Sequence, residues 1–160
     1  MSDRTYVHVT YPKWADPIVR PILLKERAGR DDDTCDEKLV YIGDSGCDGG
    51  CHPLEDALQQ FCIPYDTHWD SGCDYDPGDK TVRYDEKGGL LEFEVFDGGL
   101  TEVALEAIKH FRAGDKEKAL KVIEEAANEG FYNAMPIEEC APTEKHRKML
   151  GNLARAASKS

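Results

Sequence analysis

The sequence predicts an α+β fold: a small mixed or antiparallel sheet of about five strands with helices packed on it, then a C-terminal helical hairpin and a tail helix. Three observations carry this. Short β-branched or alternating runs recur at 5–11, 38–42, 65–69, 81–84 and 90–96. Helically spaced apolar residues fill the gaps between the earlier runs. From Gly99 the texture changes to longer amphipathic helices, which divides the chain into an α+β domain over 1–97 and a helical region over 98–160.

Taken in order, Thr5 to Tyr11 alternates β-branched and aromatic residues and ends at Pro12, so it reads as an opening strand with His8 on one sheet face. Trp14, Ile18 and Ile22 follow helical spacing, which predicts a helix from about Asp16 with Pro17 in its first turn and a kink or restart at Pro21. The stretch 28–34 reads as an acidic loop. Lys38 to Ile42 is the second strand, and the glycine-rich run Gly43 to His52 is expected to be a loop.

Pro53 opens a short helix whose apolar face is Leu54, Leu58, Phe61 and Cys62, and Pro64 stops it before a third strand at Tyr65 to Trp69. Thr81 to Tyr84 and Leu90 to Phe96 form a hairpin around Gly88-Gly89, with Leu91, Phe93 and Val95 alternating against Glu92 and Glu94. Leu100 to Phe111 and Lys116 to Ala127 are amphipathic helices, with Gly114 as stop and Asp115 as cap. Their junction, Ala113 to Leu120, resembles the turn of a tetratricopeptide repeat, but it spans one hairpin where that architecture stacks at least about three units. A last helix starts at Thr143 and carries a basic end.

The chain has 160 residues, 40% of them hydrophobic and 32% charged, enough for one domain with a helical appendage. No apolar run reaches the roughly 18 residues of a membrane span, and the first strand leaves no room for a signal peptide, so a soluble cytoplasmic protein is expected. Residues 1–30 carry six basic and three acidic groups, 31–86 three and sixteen, and 87–160 eleven and thirteen, within a net charge of −12. The strongly acidic middle third disfavours direct nucleic-acid binding and suits a divalent cation or a basic protein partner.

Six cysteines without a secretory signal are expected as thiols. Cys47, Cys51, His52, His68 and Cys73 are the candidate zinc ligands, with the spacing of Cys47 and Cys51 suited to a first pair. Asp44, Asp48, Gly49 and Glu55 fall at places of a calcium loop, although a strand precedes them where a helix belongs. Cys47 or Cys51 beside His52, ahead of a helix N-terminus, is also the arrangement of an activated thiol. No phosphate loop, dinucleotide fingerprint or oxyanion donor set accompanies it, so an enzyme is the lesser expectation.

The run Leu54-Glu55-Asp56-Ala57-Leu58 through Cys62-Ile63-Pro64-Tyr65-Asp66, then Trp69-Asp70-Ser71-Gly72 and Asp74-Tyr75-Asp76-Pro77, resembles a pattern in small acidic proteins of phages and plasmids. The resemblance covers residues 38–85, and Cys62 stands where the pattern tends to have glycine. It implies a mobile-element origin, and by analogy an inhibitor or adaptor acting on a nucleic-acid-handling protein. The function expected first is therefore a non-catalytic acidic module. It would bind a basic protein through Asp31, Asp32, Asp33, Asp36, Asp66, Asp70, Asp74, Asp76 and Asp79, with no obligatory cofactor. A zinc-stabilised domain built on the Cys47/Cys51 loop and a thiol-dependent enzyme are the alternatives.

Overall fold

The structure is a computed structural model that describes residues 4–25, 32–48, 52, 54–72, 76–85, 87–96, 100–127 and 134–159. Six antiparallel strands form one sheet in the order β2-β3-β1-β4-β5-β6. They are β1 (Arg4–Pro12), β2 (Asp32–Cys35), β3 (Leu39–Asp48), β4 (Tyr65–Trp69), β5 (Gly78–Tyr84) and β6 (Leu90–Phe96). The helices are α1 (Asp16–Lys25), α2 (Leu54–Gln60), α3 (Leu100–Arg112), α4 (Lys116–Ala127) and α5 (Glu144–Ala157). Among the described residues no helix is long and apolar enough to cross a membrane.

Strand β1 lies at the centre because both of its neighbours pair with it antiparallel. Consequently β3 and β4 run parallel to each other with β1 between them, and α2 makes the crossover. Helix α1 makes the equivalent connection from β1 to β2, around β3. Period-two alternation decides which side chains these helices cover. Val7, Val9 and Tyr11 of β1, Val40 and Ile42 of β3, Tyr65 and Trp69 of β4 and Val82 of β5 pack with Ile18, Val19 and Leu23 of α1 and Leu54 and Leu58 of α2.

Three polar devices fix the frame. Tyr11 donates its hydroxyl to Asp16, and Arg20 bridges Asp16 and Asp33, so β1, α1 and β2 are tied together. Pro21 sits on the exposed side of α1, and the helix continues through it to Lys25 where a kink or restart was expected. Helix α2 ends in a Schellman motif: Ile63 N–H donates to Leu58, Cys62 N–H donates to Gln59, and Cys62 takes a left-handed φ of 54°.

The expectation of a loop from Gly43 to His52 is corrected over Gly43 to Asp48; residues 49–51 lie outside the described residues. β3 runs on to Asp48, paired with β1 to the end, so 44–48 is strand where a calcium loop would need a turn. Strand β2 also replaces part of the expected acidic loop; it is a short edge strand of polar residues that only its pairing with β3 reveals. The hairpin of α3 and α4 forms as read, with Gly114 at φ 87° and Asp115 accepting from Lys118 N–H. Ala107 and Ala119 are buried where the two helices meet, while Leu105, Ile108, Phe111, Leu120 and Ile123 stay exposed.

The segment from Ala134 to Thr143 is a strap over the sheet end. Arg83, on the face opposite α1 and α2, donates from Nε to the Met135 carbonyl at 2.6 Å, and Trp14 Nε1 donates to the Cys140 carbonyl at 2.7 Å. Thr143 then caps α5. His146, buried in its first turn, accepts at Nδ1 from Thr143 N–H and so donates from Nε2 to the Phe61 carbonyl at 2.7 Å.

Candidate functional site

Two places combine shape with chemistry. The first is at the junction of β3 and α2. Asp44 and Cys47 are three residues apart, so a regular strand would point them to opposite faces. The register with β1 moves from Val7↔Asp44 to Thr5↔Cys47, which inserts one extra residue into β3. That bulge rephases the strand and turns both side chains to the helix-covered face. Asp44, Cys47 and His52 are buried there, with ligand-type atoms all within 4.8 Å of one another.

His52 is the N-cap of α2. Its Nδ1 accepts from Leu54 N–H at 3.0 Å, and its own backbone N–H donates to Glu55 Oε1 at 3.1 Å, a reciprocal capping box. An amide N–H can only donate, so Nδ1 carries no proton and the neutral ring holds it on Nε2. Burial lowers the His52 pKa, against the opposing pull of Asp44 and Glu55. Nε2 is buried without a hydrogen-bond partner, its nearest counter-group being Asp44 Oδ2 at 3.9 Å. In this state the ring has no free lone pair with which to take a proton from the Cys47 thiol.

Of the other expected metal ligands, His68 lies on the opposite sheet face, with Nδ1 2.9 Å from Asp79 Oδ1. Cys51 and Cys73 lie outside the described residues. The sequence named Cys47 and His52 and placed Asp44 beside them only for calcium. Gly46 was the available signal, since an isolated glycine inside a strand marks a bulge.

No protein-family model matches the chain, and neither curated proteins nor solved structures show a match.

The second place is a cavity of about 540 Å³ between the strap and the ends of β5 and β6. Leu91, Phe93, Met135, Cys62 and Cys140 are among its lining residues. Tyr84 also lines it, with a buried hydroxyl that has no hydrogen-bond partner; burial first, then the Cys62 and Glu92 charges, push its pKa up to about 12. Burial likewise raises the Cys140 thiol. Leu91 and Met135 remain 42% and 56% exposed, which places apolar surface at the mouth. Glu139 also lines it, and Glu138 is exposed beside it in the strap.

The expected acidic surface resolves into individual roles. Asp33 pairs with Arg20; Asp36 accepts from the N–H groups of Lys38 and Leu39 and from the Tyr41 hydroxyl, which together hold its pKa below the usual range. Asp66 takes a two-pronged contact from Arg83, at 2.7 and 3.2 Å. Asp79 and Asp70 flank His68, and Asp76 is exposed. Asp31 and Asp74 lie outside the described residues, and of Asp32 only the backbone is described. Register sets the cavity residues Leu91 and Phe93 opposite Arg83 and Thr81, with Asp66 one strand further on and Asp79 opposite Val95, outside the lining.

Proposed function

We propose that this chain is a non-catalytic binding module that captures a basic protein segment by seating one of its apolar side chains in the cavity between β5, β6 and the strap. The cavity is the observation that carries this reading: about 540 Å³, apolar in its walls, with the Tyr84 ring, Arg83 and Glu139 along its lining. Ligand sites have this make-up, an apolar body with a few placed polar groups. Glu139 lines it and the exposed Glu138 precedes it in the strap, in a chain of net charge −12. An apolar anchor flanked by Lys or Arg satisfies both features. Charge would steer the encounter and the buried anchor would hold the complex.

The test uses short fluorescent peptides with a single Phe among Lys and Arg, the same peptide with Ala for Phe, and one with Glu for the basic residues. Binding by fluorescence anisotropy should rank the Phe-basic peptide first, weaken with salt, and fall at least about tenfold in Leu91→Asp, whose exposed position tolerates the change. Equal binding of the Phe and Ala peptides, or no effect of Leu91→Asp, would reject the cavity as the docking point.

A further inference from the structure

We propose that Asp44, Cys47 and His52 form a binding site for one divalent transition-metal ion of the zinc class. This is independent of the peptide cavity. The donor set is a carboxylate, a thiol and an imidazole, all buried, with their ligand atoms within 4.8 Å of one another. Bonds of about 2.0 to 2.3 Å around a tetrahedral ion place such atoms roughly 3.3 to 3.8 Å apart, so a contraction of no more than about 1.5 Å closes the site. The His52 Nε2 to Asp44 Oδ2 separation is already 3.9 Å.

Three features beyond proximity point to an ion. The β-bulge spends a ladder position to bring Asp44 and Cys47 to one face, and their two charges, once the thiol ionises, match those of a divalent cation. His52 Nε2 is fully buried and has no hydrogen-bond partner, so a polar atom is aimed into this space unsatisfied. The thiolate and imidazole select against magnesium and calcium, which take oxygen ligands, and favour zinc, cobalt or nickel.

Binding has a stereochemical consequence that identifies the site. The ion must displace the proton from Nε2, and the neutral ring then carries its proton on Nδ1, facing the Leu54 N–H that it now accepts from. Two donors cannot share that bond. Metal occupancy is therefore coupled to the N-cap of α2, and Leu54 N–H must find another partner. The ring exchanges its Nε2 proton for one on Nδ1 and stays neutral, so only the Cys47 thiol proton is released, one proton per ion bound at a pH below the free thiol's pKa.

The test is a cobalt titration of the reduced, chelator-treated full chain, repeated with zinc under amide NMR. One cobalt per chain with a thiolate-to-metal charge-transfer band is expected. The band should vanish in Cys47→Ser, and affinity should fall at least tenfold in His52→Asn, which keeps a capping oxygen. Cys35→Ser, at an exposed position, should change nothing. Zinc, and not magnesium, should shift the Leu54 amide of the unaltered chain, a readout that survives if the Cys47 variant fails to fold. Absence of binding, an unmoved Leu54 amide, or binding lost in Cys51→Ser and Cys73→Ser but kept in Cys47→Ser, would overturn the assignment.

Discussion

The His146 imidazole lies against the Trp14 indole with ring centroids 4.8 Å apart and planes inclined at 35°. Trp14 follows the first strand and His146 begins the last helix, so this contact fastens the end of the chain to its beginning. The same imidazole donates to the Phe61 carbonyl and accepts from Thr143, while the indole donates to the Cys140 carbonyl. His146→Ala removes the stack and leaves buried groups without partners. We expect a loss of about 2 to 3 kcal/mol in urea unfolding. His146→Phe, which keeps a ring but no polar atom, should recover less than half of that loss.

The left-handed Cys62 offers a gain in stability. A residue with a Cβ pays about 1 kcal/mol for this conformation relative to glycine, and Gly114 holds the equivalent place after α3 without that penalty. Cys62→Gly should raise the urea midpoint by an amount equivalent to about 0.5 to 1 kcal/mol, with the half-buried thiol's packing offsetting part of the gain. An unchanged or lower midpoint would mean that the thiol's packing outweighs the strain.

Much of the fold was legible because its signals are local. Alternation found β1, β4 and β6, and the Gly114-Asp115 pair set the bend between α3 and α4. What escaped depends on partners distant in sequence. Strand β2 is polar and exists through its pairing with β3, and the extension of β3 to Asp48 exists through β1. The run Gly43 to Cys47 that read as loop is instead bulged strand, and that single inserted residue brings Asp44 to Cys47. The cavity was half visible in the alternation that puts Leu91 and Phe93 on one face; its other wall, the strap, shows no periodicity to read.

Arg83 is the buried cation that holds the strap. Its guanidinium meets both oxygens of Asp66 and the carbonyls of Tyr65 and Met135. Arg83→Met keeps the length but strands the Asp66 carboxylate and those carbonyls. The expected cost is about 3 kcal/mol or more. Hydrogen exchange should rise at Glu139 and Cys140, whose amides close the turn of the strap, before it rises in β1. Uniform acceleration across both would instead show that the strap and sheet open as one unit.

Gly78 faces Trp69 across β4 and β5, and a Cβ there would come within 2.5 Å of the indole Cζ2 and 2.7 Å of the Val95 carbonyl oxygen. The ring, held by its Nε1 bond to the Asp76 carbonyl, cannot yield without losing that bond. Gly78→Ala should therefore destabilise by about 1 to 3 kcal/mol and alter the near-ultraviolet dichroism of the tryptophans.

Tyr84 carries a buried hydroxyl at the expense of stability. Its buried hydroxyl has no partner, so Tyr84→Phe should raise neutral-pH stability by about 1 kcal/mol. Alkaline titration gives an independent readout. The phenol's pKa is about 12 in the folded chain against an ordinary 10.0, so between these values the folded state keeps a proton that the unfolded state releases. The contribution is complete below pH 10 and is lost as pH rises through the folded value. Tyr11 and Tyr65, also raised by burial, lose stability in both proteins, so the difference between them isolates Tyr84. The advantage of Tyr84→Phe should widen from about pH 10 upward. A constant difference would mean that the Tyr84 hydroxyl reaches water in the folded protein.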